Sequence, residues 1–120
     1  MTTRPVEIDV WLRGTTHATT CPGPALPADT GAWTDQDVRS LLVAMLLAID
    51  GAKNPGADRA QVALRGFSWI VSPYEGGHVI HVEMQTGTAS AGPFTADEPS
   101  LTATIRRVIA AEAAAAETVH

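Results

Sequence analysis

The chain contains little cysteine, little lysine and no long apolar run, and each scarcity excludes a class of protein. Cys21 is the only cysteine among 120 residues, so no disulfide can form within the chain. Lys53 is the only lysine, and 13 acidic residues against 8 basic ones give a net charge of −5. We therefore expect no nucleic acid partner, because phosphate binding requires clustered lysine and arginine.

The apolar content is spread out rather than gathered into a membrane segment. The longest apolar run, residues 41–49, is about half as long as a bilayer-spanning helix. The first residues also lack the basic segment and apolar stretch of a signal peptide. Without a signal peptide or a disulfide, we expect a cytoplasmic protein with no membrane partner. A chain of this length is expected to form one domain, spanning residues 1–120.

The first regular segment is predicted from an alternation of apolar and polar residues. Val6, Ile8, Val10 and Leu12 alternate with Glu7, Asp9, Trp11 and Arg13. A period of two is typical of a strand with one buried face. We therefore predict a strand over residues 6–12 that places the acidic residues, Trp11 and Arg13 on its outer side.

Residues 15–33 are predicted to form a long loop. They contain three prolines and little apolar content. Long loops in compact domains are frequently functional, so this segment is a candidate for contact with a partner. His17 and Cys21 lie four residues apart in it, but the segment has no basic residue to stabilise a thiolate, and catalysis by Cys21 is not expected.

The next segment, residues 35–49, has the signature of a helix. Thr34 is a suitable N-cap, and Asp35 and Asp37 favour the positive end of the helix dipole. The predicted buried stripe consists of Val38, Leu41, Leu42, Met45, Leu46 and Ile49. Further apolar residues surround this stripe, so the helix is expected to be covered by the sheet and by either the second helix or another subunit.

Residues 61–72 and 77–86 predict a hairpin, since both alternate and turn-forming residues 73–77 separate them. Pairing across a four-residue loop places six apolar side chains on one face: Phe67, Trp69, Val71, Ile80, Val82 and Met84. Ser68, His81, Glu83 and Gln85 then lie on the opposite face, toward solvent or a partner.

The end of the chain is predicted to be a linker, residues 87–94, followed by an amphipathic helix carrying Leu101, Ile105, Val108 and Ile109. The predicted fold is therefore an α+β two-layer sandwich in the order β-α-β-β-α. It consists of a three-stranded sheet with both helices packed on one of its faces. The position of the first strand within that sheet stays open.

The candidate functional residues lie on the face of the sheet away from the helices. His81 and Glu83 project together, and Asp9 and Ser68 are expected on the same face. A histidine beside carboxylates can bind a divalent metal or act as a general base. The simpler interpretation is an ordinary solvent-facing sheet surface. The sequence contains no cofactor-binding motif, so we expect no cofactor.

The leading hypothesis is a non-catalytic protein-interaction or assembly module, such as an adaptor or an accessory subunit, that associates with a protein partner or with itself as a homodimer. Its candidate contact residues are Trp11, Arg13, His81 and Gln85, because a tryptophan on an outer sheet face favours association. The alternative is a small enzyme or metal-binding protein with His81 as base or ligand, Glu83 and Asp9 as ligands or as residues that orient His81, and Ser68 as a polar contact.

Overall fold

The described part of the chain contains five strands and two long helices. A computed structural model describes residues 3–27, 29–53, 67–95 and 97–118, apart from the side chains of Arg4 and residues 115–118. In chain order the elements are β1 (Thr3–Leu12), β2 (Thr19–Pro27), a single 3-10 turn (Thr30–Ala32), α1 (Asp35–Lys53), β3 (Ser68–Tyr74), β4 (Gly77–Met84), β5 (Gly87–Phe94) and α2 (Glu98–Thr118). None of the helices in these ranges is both long and apolar enough to cross a membrane.

The five strands form one sheet in the spatial order β2-β1-β5-β4-β3, and every neighbouring pair is antiparallel. The predicted three-stranded sheet and the order β-α-β-β-α are therefore wrong. The observed order is β-β-α-β-β-β-α. Two segments that were expected to be irregular account for the difference, and both are strands.

The first of these segments lies within the predicted loop 15–33. Residues Thr19–Pro27 form β2, which pairs with β1 through contacts such as Asp9 with Thr20. β2 is an edge strand, and an edge tolerates proline because one side of the strand has no neighbour that requires its N–H groups. The prolines that predicted a loop are thus compatible with the strand that is observed.

The second segment is the predicted linker, residues 87–94, which is the central strand of the sheet. β5 pairs with β1 on one side and with β4 on the other. Its inward residues Gly87, Ala89 and Ala91 are buried. Glycine and alanine have a low strand propensity, so this segment resembled a connector. Their small size is instead what allows α1 to lie against the middle of the sheet.

α1 has the predicted position and the predicted buried stripe, and it extends four residues further, to Lys53. The Thr34 hydroxyl accepts a hydrogen bond from the Asp37 backbone N–H at 3.1 Å, and the Asp37 carboxylate accepts one from the Thr34 N–H at 3.0 Å. This reciprocal pair is a capping box that satisfies two free donors at the helix start.

Both helices contribute to one hydrophobic core with the inner face of the sheet. Leu101, Ile105 and Val108 of α2 are buried in it. Among the described side chains, two ion pairs join the helices: Arg107 binds Asp35 through two hydrogen bonds of 2.7 and 2.9 Å, and Arg39 binds Glu112. Of the apolar residues that flank the α1 stripe, Val43, Ala44 and Ala48 are partly buried against this core within one chain, which weakens the case for covering α1 with a second subunit.

The hairpin of β3 and β4 has the predicted register. Val71 lies opposite Ile80 and Trp69 opposite Val82. The pairing extends one pair further than predicted, to Tyr74 and Gly77, so the connection contains only two residues instead of four. Residues 61–66 of the predicted strand lie outside the described residues.

The two turn residues, Glu75 and Gly76, both have positive φ, at 48° and 83°. A two-residue hairpin turn of this type favours asparagine followed by glycine. Glutamate in this conformation places its Cβ too close to the following carbonyl oxygen, at a cost of about 1 kcal/mol. Glu75 is thus a strained position in an otherwise well-formed hairpin.

We expect Glu75→Asn to raise the free energy of unfolding by about 0.5–1 kcal/mol, because asparagine adopts positive φ more readily. Gly76→Ala is the matched control in the same turn, and it should lower stability by about 1 kcal/mol. Urea denaturation measures both changes. A destabilised Glu75→Asn variant would contradict the turn geometry described here.

Candidate interaction surface

The side of the sheet away from the helices, here called the outer face, is formed by alternate residues of all five strands. One row crosses the whole sheet through directly paired positions, and its members are Thr20, Asp9, Ser90, His81 and Ile70. A second row consists of Trp11, Thr88, Glu83 and Ser68. Directly paired residues on one face have Cβ atoms about 5 Å apart, so each row is a continuous strip of contacts.

Hydrogen bonds hold both polar pairs of the first row. The Thr20 hydroxyl donates to the Asp9 carboxylate at 2.6 Å. His81 Nδ1 and the Ser90 hydroxyl lie 2.6 Å apart, and which of them donates depends on the histidine tautomer. These bonds fix the Asp9 and His81 side chains in place on the surface.

The outer face brings the predicted residues onto one surface but does not make them neighbours. β5 lies between β1 and β4, so Ser90 separates Asp9 from His81. Two strand spacings amount to about 10 Å, which is too far for both side chains to bind one metal ion. Among the described residues, no group of three or more His, Cys, Asp or Glu side chains is close enough to hold a metal.

Ser68, the predicted polar contact of the candidate site, lies opposite Glu83, as the predicted hairpin register places it. The hydroxyl that contacts His81 belongs to Ser90, which was not among the predicted site residues because its segment, residues 87–94, was predicted to be a linker. The pattern that could have revealed it is the alternation of Thr88 and Ser90 with small residues, which has the period of a strand.

The bond between Ser90 and His81 resembles a nucleophile and its base, but the described backbone on either side of Ser90 is not available for the rest of such a site. Acyl transfer also needs backbone N–H groups aimed at the developing oxyanion. Ser90 lies in the central strand, whose backbone groups are engaged in ladders with β1 and β4. The bond therefore positions His81 on the surface rather than activating Ser90.

Arg13 and Gln85, the other predicted contact residues, lie in turns at one end of the outer face. Arg13 follows β1, and its backbone N–H donates to the Thr86 carbonyl at 3.0 Å. Gln85 and Thr86 form the two-residue connection between β4 and β5. Both predicted residues are exposed and lie at the end of the sheet nearest Trp11.

Trp11 is the large aromatic residue of this surface, and 39% of it is exposed. It lies opposite Thr88 of the central strand. Ile70 and Tyr74, both in β3, are the other large hydrophobic residues that are exposed in the described ranges, at 58% and 54%. The exposed large hydrophobic side chains of the described part of the molecule thus belong to the sheet and not to the helices.

Cys21 lies at the margin of the core in β2, directly opposite Ile8. Its thiol donates a weak hydrogen bond to the Ile8 carbonyl, with sulfur and oxygen 3.7 Å apart. Burial raises the pKa of this thiol, and the neighbouring Asp9 charge raises it further. The raised pKa favours the protonated thiol, which is the less nucleophilic form of cysteine.

No family model matches this chain, and neither a curated protein nor a solved structure is similar enough to match it.

The raised pKa of Cys21 predicts slow alkylation. We expect iodoacetamide to modify Cys21 of the folded protein more slowly than free cysteine at the same mildly alkaline pH, with a pH profile displaced to higher pH. Asp9→Asn should move the profile back toward lower pH, because it removes the nearby negative charge. Glu83→Gln, which changes a carboxylate on a distant strand, is the matched control. A profile that coincides with free cysteine would contradict this assignment.

Proposed function

We propose that this chain is a non-catalytic protein-interaction module, an adaptor or accessory subunit, whose contact surface is the outer face. The observation that carries the proposal is the exposed Trp11 on a sheet surface that the helices leave uncovered. Tryptophan is enriched among the residues that dominate binding energy at protein interfaces. The charged residues near Trp11 are compatible with such a role, because the rim of an interface is polar and solvent-accessible.

The charge of the outer face indicates the kind of partner surface that fits it. Glu7, Asp9 and Glu83 alternate with buried residues and therefore lie on the outer face, where Arg13 adds one positive charge at the end. A partner with basic side chains around an apolar pocket for the Trp11 ring would complement this arrangement. The same acidic character disfavours nucleic acid.

The rigidity of the surface also supports a binding role. The Thr20–Asp9 and His81–Ser90 bonds restrict side chains before any partner arrives. Fewer side chains then lose rotamer freedom on binding. Each side chain that is already fixed avoids an entropic cost of about 0.5–1.5 kcal/mol. A free, half-buried Cys21 is consistent with the cytoplasm as the site of action, which belongs to this proposal.

The alternative function is a small enzyme or metal-binding protein centred on His81 and Glu83. Its support is the short contact between His81 and Ser90. The strand order weighs against it, because Asp9 is separated from His81 by β5. The outer face as a docking surface accounts for Trp11 as well as for the polar row, and we therefore prefer it.

We expect Trp11→Ala to weaken binding to the protein partner by about 30-fold, the loss of about 2 kcal/mol that defines a central interface residue. The experiment captures proteins from the native cell on the immobilised wild-type chain and identifies those retained. Titration calorimetry then compares the affinity of a retained protein for wild type and for the variant.

Tyr74→Ala is the matched control: Tyr74 is also an exposed aromatic residue, but it lies three strands away at the β3–β4 turn, at the end of the outer face opposite to Trp11, where the proposed contact is centred. It should bind the same partner with unchanged affinity. If Trp11→Ala retains the wild-type affinity for every protein captured, the outer face is not the contact surface.

A further inference from the structure

The two edges of the sheet are built differently. β2, at one edge, carries Pro22, Pro24 and Pro27. Proline lacks the N–H group that strand pairing requires, and natural sheets use it to prevent association at an exposed edge. β3, at the other edge, contains a single proline, Pro73, beside the hairpin turn. The segment from Ser68 to Ser72 therefore keeps every backbone donor.

The turn geometry determines which backbone groups of β3 point away from β4. A two-residue turn places Tyr74 and Gly77 in a hydrogen-bonded pair, and such pairs alternate along an antiparallel ladder. Ser72 and Ile70 consequently bond to β4, whereas the N–H and C=O groups of Trp69 and Val71 point to the side where the described residues place no other strand. Backbone donors and acceptors that point outward from a sheet edge can hydrogen-bond to an added extended strand.

The distribution of charge makes β3 the place where the strand of a second copy of this chain can approach. The protein carries a net charge of −5, so two copies repel each other through most of their surfaces. β3, from Ser68 to Tyr74, has no charged residue, although edge strands usually carry charge to prevent pairing. It also presents Ile70, with 58% of the residue exposed.

We propose that β3 pairs antiparallel with β3 of a second copy, about a two-fold axis at Ile70, to form a continuous ten-stranded sheet. Trp69 of each copy then exchanges backbone hydrogen bonds with Val71 of the other. Ile70 of one copy meets Ile70 of the other in a close pair, with Cα atoms about 4.5 Å apart. The two exposed isoleucine side chains cover each other on the outer face.

A register displaced by one residue, centred on Val71, is less favourable. It places Trp69 opposite Pro73, which has no N–H to donate, and it leaves Ile70 opposite Ser72. The axis at Ile70 uses all the outward donors of Trp69 and Val71 instead. The side of β3 that has no strand neighbour among the described residues is about 23 Å long, so the interface is small and the dimer reversible.

This inference rests on the proposed function in one respect, since it names a second copy as one partner of an interaction module. It uses a different surface, however. Trp11 lies on β1, three strands from the β3 edge, and stays accessible in the dimer. The dimer would carry two copies of the outer face on the same side of one sheet, which suits a partner with two binding sites.

Site-directed cross-linking tests the axis directly. Cys21→Ser gives a background without cysteine, because Cys21 is the only one. In this background Ile70→Cys places two thiols at a spacing that a disulfide can bridge. Tyr74→Cys is the matched control: it is similarly exposed on the same strand, but its two copies lie about 27 Å apart in the proposed register.

Under mild oxidation we expect Ile70→Cys to form the covalent dimer about tenfold faster than Tyr74→Cys, because pairing raises the effective thiol concentration. The mass of the wild type in sedimentation equilibrium should rise with concentration, whereas Ile70→Lys should remain monomeric through repulsion of the opposed charges. Equal cross-linking rates, or a wild type that stays monomeric at millimolar concentration, would overturn the edge dimer.

Trp11→Ala separates this proposal from the previous one. The edge dimer predicts an unchanged cross-linking rate in the Ile70→Cys background. If Trp11→Ala slows cross-linking, the copies associate face to face and the edge dimer is wrong, although the outer face is then a contact surface. If Ile70→Cys does not cross-link while Trp11→Ala loses the captured partner, the edge dimer alone fails.

Discussion

The double pairing of β5 is the constraint on which the rest of the structure depends. β5 joins the pair β2–β1 to the hairpin β4–β3, so without it the sheet would consist of two separate halves. Its inward side chains are small, and Gly87 has no room for a larger one, since a Cβ there would lie 2.5 Å from the Trp11 carbonyl oxygen. Ala89 and Ala91 bury little apolar area themselves, so the strand depends on the larger residues that flank it, such as Ile8 and Ile80.

The same strand determines the character of the outer face. Because Ser90 lies between Asp9 and His81, the acidic residue of β1 and the histidine of β4 become members of one polar row rather than a shared site. A fixed row of hydrogen-bonded side chains beside an exposed tryptophan suits recognition of another surface. β5 thus contributes to both sides of the sheet: its small inward residues pack against α1, and its outward Ser90 separates Asp9 from His81 on the proposed contact surface.

Strong periodic signals in the sequence predicted their elements well. The Thr34 cap and the six-residue stripe of α1 are observed as expected, and the register of Val71 against Ile80 follows from the alternation of both strands and the position of the turn between them. β2 and β5 could not be predicted in the same way. The prolines of β2 are tolerated only because it lies at an edge, and the small residues of β5 are required only because α1 lies above them. Both reasons are tertiary, so a local pattern does not contain them. The candidate site changed accordingly: Asp9, His81 and Glu83 could be assigned to a face, but Ser90 could not.

The position of β5 can be tested most directly by amide hydrogen exchange. If β5 is the central strand, the backbone amides of Ala89, Ser90 and Ala91 exchange only through global unfolding, as slowly as those of Ile80 and Val82 in the neighbouring strand. Gln85, in the adjacent turn, provides the fast reference. Exchange of the β5 amides at the rate of Gln85 would show a connector instead of a strand, and it would contradict both the sheet order and the surface built on it.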